Sequence, residues 1–224
     1  MEYKLPDFFS GIRIISSEKT DGSMNQGSIE ENLPHFLEKY QVKLPIAYCR
    51  QVHGNKIQII SKEGFFDICD GMITGEKIAL LIKSADCIPL FFVEPKSQTI
   101  GAIHVGRRSL LAGIISTSLK RRLEELALSP SEINFFIGAH IRSKNYEIAH
   151  DIIDSLPKGY SQFIIKQGSR SYFDLTNCLL SELESIGVQG GNIFDSGVDS
   201  FDSPQLFSYR RADDGLFVTL MEKV

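Results

Sequence analysis

The sequence predicts an α+β fold in which mixed β-sheets are covered by outer helices, in an αββα arrangement of layers. Residues 78–82, 89–93 and 99–104 form three short apolar runs rich in Ile, Phe and Val, which is typical of buried strands. The turn-forming residues 94–97 join two of these runs directly, so the sheets are not purely parallel. Segments with helical periodicity alternate with the apolar runs, which indicates helices packed outside the sheets.

The N-terminal half contains one predicted helix. Ser28 and Glu31 have the spacing of a capping box, so the helix is expected to begin after Ser28 and to end near Tyr40. Pro34 lies inside this segment and offers an alternative start, because proline favours the first turn of a helix. Strands are predicted before and after this helix, at residues 11–15, 46–49, 56–60 and 70–74.

The C-terminal half contains two longer helical patterns. Regularly spaced Leu and Ile residues give residues 109–126 the periodicity of one amphipathic helix. Asp174 is the expected N-cap of a second helix, which ends near Ile186 because Gly187 follows. Strands are predicted at residues 133–137, 163–165, 193–195 and 216–221. No linker or repeat divides the chain, so a single domain over residues 1–224 is expected.

Composition excludes several classes of protein. With 42% hydrophobic and 23% charged residues, the chain resembles an ordinary globular protein. A net charge of −4 predicts no large basic surface for nucleic acid. No apolar run reaches membrane-spanning length, and the N-terminus lacks the pattern of a secretory signal. Four cysteines do not form a disulfide framework, so we expect reduced thiols and a cytoplasmic protein.

Three side chains of metal-binding type lie at predicted strand ends. They are His53, Cys87 and His104. Two imidazoles and one thiolate leave a fourth tetrahedral position open, which is typical of catalytic zinc sites. Ligands from separate strands have no fixed sequence spacing, so the spacing does not by itself establish a metal site. The alternative interpretation is that Cys87 is a small buried packing residue and that each histidine is a hydrogen-bonded polar group.

The number of histidines argues against copper in the manner of multicopper oxidases. The chain has five histidines, and no two of them form a His-x-His pair. A blue-copper site beside a three-copper cluster needs more histidine ligands than this. If the three residues bind a metal, their types therefore favour zinc over a multicopper centre.

Further side chains near these residues are candidates for substrate contacts. Arg107 and Arg108 follow His104 and open the next helix, and guanidinium groups suit phosphate. For one of the two arginines, a solvated surface position is the competing interpretation. Asp86 precedes Cys87 and is a candidate to orient a ligand or to move a proton.

Several motifs occur together and in a fixed order along the chain. They are Q-V-H-G at 51–54, D-G-M-I-T at 70–74, S-A-D-C-I-P-L at 84–90, H-V-G-R-R at 104–108, Y-E-I at 146–148, D-L at 174–175 and F-S-Y-R-R at 207–211. From about residue 46 to the C-terminus, the chain resembles the bacterial laccase-domain or peptidoglycan-editing-factor family. That family is also described as multicopper polyphenol oxidases and as purine nucleoside phosphorylases with adenosine deaminase activity.

The resemblance implies a zinc ion, a set of site residues and a substrate class. Zinc would be bound by His53, Cys87 and His104. The implied catalytic residues are Cys87, Asp86 and Arg108, and the implied substrate-binding residues are Arg107, Arg108, His140 and Tyr146. The implied reactions are phosphorolysis of adenosine, inosine, guanosine or methylthioadenosine, and deamination of adenosine by zinc-activated water. The expected partners are therefore a nucleoside and phosphate, with neither nucleic acid nor membrane.

The chain departs from the family pattern, and this leaves two other classes of function open. Val105, Arg107 and Ser109 stand where the family usually has Ala, Trp and Gly. One alternative is a hydrolase with Cys87 as nucleophile and His104 or His53 as base. The other is a non-catalytic ligand-binding or cell-wall-editing accessory protein, which the altered motifs favour. The sequence does not indicate an oligomeric state.

Overall fold

The computed structural model describes residues 1–224, which form thirteen strands and five α-helices. The strands are β1 (Ile12–Ser16), β2 (Ile46–Cys49), β3 (Ile57–Ile59), β4 (Gly64–Phe66), β5 (Gly71–Thr74), β6 (Ala79–Ser84), β7 (Ile88–Glu94), β8 (Thr99–Val105), β9 (Asn134–Ile137), β10 (Ile164–Gln167), β11 (Arg170–Phe173), β12 (Ile193–Asp195) and β13 (Phe217–Lys223). The helices are α1 (Ile29–Lys39), α2 (Arg107–Leu111), α3 (Lys120–Glu125), α4 (His150–Asp154) and α5 (Leu175–Ser185).

Two large sheets contain both parallel and antiparallel pairs, which confirms the predicted mixed topology. The five-stranded sheet has the order β1-β13-β6-β2-β4, with antiparallel pairing on the β1 side and parallel pairing on the β4 side. The six-stranded sheet has the order β12-β9-β7-β8-β5-β3, with antiparallel pairs in the middle and a parallel pair at each edge. Strands β10 and β11 form a separate antiparallel hairpin.

The central strands are continuously apolar because both of their faces are buried. In β7, Phe91 and Val93 belong to the core between the two sheets, whereas Leu90 and Phe92 pack with residues of α2, α3 and α5. In β6, alternate residues contribute to the inter-sheet core and to the core under α1. Helices therefore cover the outer face of each sheet, and the predicted αββα layering is confirmed.

Helix α1 occupies its predicted place, but the predicted start signals are wrong. The Ser28 side chain makes no capping hydrogen bond. The Ser28 backbone has φ −122° and ψ −13°, which is not the extended conformation that an N-cap needs. The capping box with Glu31 is therefore absent. The helix also does not start at Pro34, which lies in its interior. Burial of the apolar face of α1 against the five-stranded sheet offsets the hydrogen bond that Pro34 lacks.

The predicted helix over residues 109–126 is three elements rather than one. Gly113 adopts a left-handed conformation (φ +77°) after α2, and a π-helical stretch at Ile114–Leu119 then leads into α3. The apolar residues of this segment still face one core, so periodicity identified the buried face but not the break. Helix α5 agrees with its prediction, because the Asp174 side chain accepts a hydrogen bond from the Asn177 amide. No helix is both long enough and apolar enough to span a bilayer.

Candidate metal centre and its cavity

The three predicted metal ligands converge where the chain passes from one sheet to the other. His53 lies between β2 and β3, and Cys87 lies between β6 and β7; each pair of strands belongs to the two different sheets. His104 is near the end of β8. The ligand atoms of the three side chains all lie within 4.8 Å of one another, and Cys87 Sγ is 3.8 Å from His53 Nε2. His53 is exposed, Cys87 is half-buried and His104 is buried.

The three side chains fit a zinc ion. Tetrahedral zinc with ordinary Zn–N and Zn–S bonds requires donor atoms about 3.4–3.6 Å apart, so only a small contraction of the observed triangle is needed. Gly106 leaves the space open, because a Cβ atom at this position would lie 2.9 Å from Cys87 Sγ and 3.3 Å from His53 Cδ2. One thiolate and two imidazoles are a ligand set that zinc accepts readily.

Asp70 holds two of the three ligands in place, and the sequence motifs alone did not single it out. Its buried carboxylate accepts hydrogen bonds from the backbone amides of Val52, His53 and Gly54, at 2.8–3.3 Å. These bonds fix the loop on which His53 adopts a left-handed conformation (φ +59°). Asp70 Oδ1 also lies 2.9 Å from His104 Nδ1. This contact leaves His104 Nε2 free for a metal, as in other carboxylate–histidine–metal arrangements.

Charge within the cluster favours a thiolate at neutral pH. Burial would raise the pKa of Cys87, but the neighbouring His104 and His53 outweigh burial and lower the pKa to about 6. Burial would lower the pKa of His104, but Cys87 and Asp70 raise it to about 9. Burial also opposes ionisation of Asp70, yet its bonds to His104 and to the loop amides lower its pKa. A thiolate is the form in which cysteine binds a metal or attacks an electrophile.

The cluster forms part of the wall of a cavity of about 770 Å³, which both predicted arginines also line. Arg108 is exposed, whereas Arg107 is half-buried beside Tyr146 and its Nε atom has no hydrogen-bond partner. The Arg210 guanidinium stacks on the Tyr146 ring, with its carbon 5.5 Å from the ring centroid. Tyr209, 82% exposed, stands at the rim. Cations therefore outnumber carboxylates beside the metal centre.

The Asp86 carboxylate binds a neighbouring loop rather than the cluster. Its Oδ1 accepts a hydrogen bond from the Ser200 hydroxyl and its Oδ2 accepts one from the Arg210 amide, both at 2.7 Å. Asp86 has a positive φ (+89°) and lines the cavity. Both of its oxygens are thus used to position the loop that carries Tyr209 and Arg210.

The structure does not bring His140 to the cavity. This residue is fully buried, and its two ring nitrogens lie 2.8 Å from the Gly138 carbonyl and from the Thr176 hydroxyl. Burial and the nearby Arg142 lower the pKa of His140 to about 4, so it is neutral at physiological pH. The three other cysteines, Cys49, Cys69 and Cys178, are buried free thiols.

The fold and the cluster together define an α+β sandwich protein whose His53, Cys87 and His104 side chains could hold a metal ion. The family described as multi-copper polyphenol oxidoreductase laccase matches residues 19–222. The chain therefore belongs to this family, as its motifs indicated.

Several relatives of this chain are named purine nucleoside phosphorylases. A purine nucleoside phosphorylase of Campylobacter jejuni is 34% identical over 164 residues, which span 72% of this chain and 69% of that protein. The purine nucleoside phosphorylase YlmD of Geobacillus stearothermophilus is 27% identical over 214 residues, which span 88% of this chain and 76% of that protein.

Solved structures have the same fold. The crystal structure of YlmD from Geobacillus stearothermophilus superposes with a TM-score of 0.87 at 22% identity, over 97% of this chain and 94% of that one. The protein NMB0706 of Neisseria meningitidis superposes with a TM-score of 0.80 at 19% identity, over 100% of this chain and 98% of that one.

Proposed function

We propose that this protein is a zinc-dependent purine nucleoside phosphorylase that acts on adenosine, inosine, guanosine or methylthioadenosine in the cytoplasm. The observation that carries the proposal is a cluster of His53, Cys87 and His104 that could hold a metal ion, in the wall of a cavity that arginine and lysine side chains also line. The names of the relatives support the reaction class. A bound zinc ion would supply Lewis acidity at the open side of the triad.

The reaction requires one anion and one nucleoside in the same cavity. A phosphate oxygen bonds to the ribose C1′, and the bond from C1′ to the purine nitrogen breaks. The electron pair of that bond leaves with the purine, which gains the proton that hydrogen phosphate loses. We assign phosphate binding to Arg108, with Arg107 beside it, because both arginines line the cavity and guanidinium groups form charge-assisted hydrogen bonds with phosphate. Asp86 acts indirectly, because it fixes the loop of Arg210.

The test combines metal analysis with a nucleoside panel. Purified protein should contain about one zinc per chain, and release of free purine should require phosphate. His53→Ala and Cys87→Ala should each lose most of the zinc and the activity, since each removes one of three ligands. Full activity in protein with less than about a tenth of a zinc equivalent would disprove the metal assignment. Copper-loaded protein should bind no more than about one copper per chain, because five histidines without a His-x-His pair do not suffice for an additional three-copper cluster.

The same assays measure adenosine deamination, which we also propose for this site. Three protein ligands leave one coordination position for water, and hydrolytic deamination needs an activated water molecule. Conversion of adenosine to inosine without phosphate is the expected result. If the protein cleaves nucleosides but does not convert adenosine to inosine, its function is restricted to phosphorolysis.

A cysteine hydrolase is the second candidate, because the lowered pKa of Cys87 and the two adjacent imidazoles also suit a nucleophile. Such an enzyme would keep its activity after zinc removal and would form a covalent adduct on Cys87. A non-catalytic accessory protein would bind zinc and turn over no nucleoside. Metal content, adduct mass and turnover therefore separate the three possibilities.

A further inference from the structure

The part of the cavity wall formed by the five-stranded sheet carries a cation that the proposed mechanism does not use. Lys83 lies near the end of β6, on the same face as Leu81, and pairs across the sheet with Val218. Its backbone is fixed on both sides by the Gln51 side chain, which accepts from the Lys83 amide at 2.9 Å and donates to its carbonyl at 2.7 Å. Lys83 lines the cavity together with Gln51 and Asn25.

The Lys83 ammonium group has no anionic partner in the protein. Its Nζ lies over the Tyr48 ring, 5.9 Å from the centroid, and burial lowers the pKa of Lys83. Arg50, which lines the same cavity, is by contrast paired with Asp67 at 2.6 Å. A half-buried cation without a partner is costly, and an acceptor on a ligand would offset that cost.

The position of Lys83 indicates which part of the substrate it meets. If phosphate binds at Arg107 and Arg108, the nucleoside is left with the side of the cavity formed by β6 and the segment before α1. There the Gln51 side chain is held against the Lys83 backbone by one donated and one accepted hydrogen bond, so it orients Lys83 rather than pairing with its ammonium group. An ammonium group only donates hydrogen bonds. Lys83 therefore needs an acceptor on the nucleoside.

We propose that Lys83 determines base specificity and selects 6-oxopurines over adenine, an inference that rests on the proposed phosphorylase function. Hypoxanthine and guanine present two adjacent acceptors, O6 and N7, and lysine is well suited to this edge. Adenine presents N7 beside an amino group that donates, so its edge opposes the ammonium group. Inosine and guanosine should consequently be better substrates than adenosine.

The test compares Lys83→Met with Lys83→Arg and with Lys62→Met, a matched control at an exposed lysine outside the cavity. Methionine keeps the apolar stem over Tyr48 but removes the donors, whereas arginine keeps donors. For Lys83→Met, kcat/KM for inosine and guanosine should fall roughly ten- to a hundred-fold, and kcat/KM for adenosine should change less than about threefold. Lys83→Arg should retain part of the selectivity, and Lys62→Met should match the wild type.

Two outcomes would overturn the assignment. Equal losses for all three nucleosides, with a raised KM for phosphate, would place Lys83 at the phosphate instead. No change for any nucleoside would show that Lys83 does not contact the substrate. Calorimetric binding of free hypoxanthine and adenine provides a readout without turnover. Wild-type protein should bind hypoxanthine more tightly and Lys83→Met should not, even if phosphorolysis fails; equal binding of both bases by the wild type would refute the inference.

Discussion

Replacement of Asp70 by asparagine tests whether the metal centre is built by the protein itself. The carboxylate accepts hydrogen bonds from three consecutive loop amides and faces His104 Nδ1. An asparagine has one acceptor oxygen and one donor amino group. If the amino group faces His104, the imidazole must move its proton to Nε2, the atom that should bind the metal. If it faces the loop, a buried amide loses its acceptor and the His53 loop is released.

Either arrangement weakens metal binding by a calculable amount. Partners that orient a ligating histidine are worth about 10- to 100-fold in metal affinity, or roughly 1.4–2.8 kcal/mol. A buried donor left without an acceptor costs about 1–3 kcal/mol of stability in addition. Asp70→Asn should therefore fold with a lower midpoint of unfolding and bind zinc at least about tenfold more weakly.

The assay is competition for zinc against a chromophoric chelator at fixed pH, with unfolding in urea measured in parallel. Asp67→Asn is the matched control, because this aspartate lies three residues away, 60% exposed, and pairs only with Arg50. That variant should bind zinc as the wild type does. Zinc affinity of Asp70→Asn within twofold of the wild type would refute the reasoning, because His53 and His104 would then be oriented without the carboxylate.

Three further predictions concern glycine packing, buried charge and the arginine pair. Gly106→Ala should abolish most zinc binding, because its Cβ would crowd the thiol, whereas Gly75→Ala, with no atom within 4 Å, should leave zinc content unchanged. The pKa of His140 is about 4 in the folded protein and about 6.5 in the unfolded chain. The contribution of neutral His140 to the free energy of unfolding is therefore fully present above pH 6.5, and up to about 3 kcal/mol of it is lost as the pH falls to 4. For His140→Gln, the free energy of unfolding in urea should depend less steeply on pH across this range. Arg108→Ala should lower phosphate-dependent kcat/KM roughly 30- to 1,000-fold and Arg107→Ala much less, because the exposed Arg108 is the more accessible to phosphate while Arg107 is half-buried beside Tyr146; the reverse order would contradict the assignment.

The layered fold was accessible from the sequence because the central strands bury both faces. Unbroken runs such as residues 88–94 need covering layers on each side, and this requirement alone indicates a multilayer sheet protein. Strands β4 and β11 were missed, because three or four residues at a sheet edge or in a separate hairpin carry little periodic signal. The break at Gly113 was also missed, since one left-handed glycine does not disturb the spacing of the buried residues.

For the site, residue chemistry identified the ligands but not their supports. The types of His53, Cys87 and His104 were sufficient to suggest a metal, and the fold brings them together. The role of Asp70 depends on hydrogen bonds to a loop some seventeen residues earlier in the chain, which no local pattern reveals. The burial of His140 likewise depends on a contact with Thr176, in a helix that follows much later.

Two connections between the sheets carry residues of the candidate metal centre. His53 and Cys87 each stand on a segment that leaves the five-stranded sheet and enters the six-stranded one. A metal ion bound by both residues would cross-link the two sheets, so its affinity depends on how well the sheets pack against each other. A cavity created at Phe91, which lies in the core between the sheets, should then weaken metal binding. Metal retention would thereby report on the integrity of a core that the ion never touches.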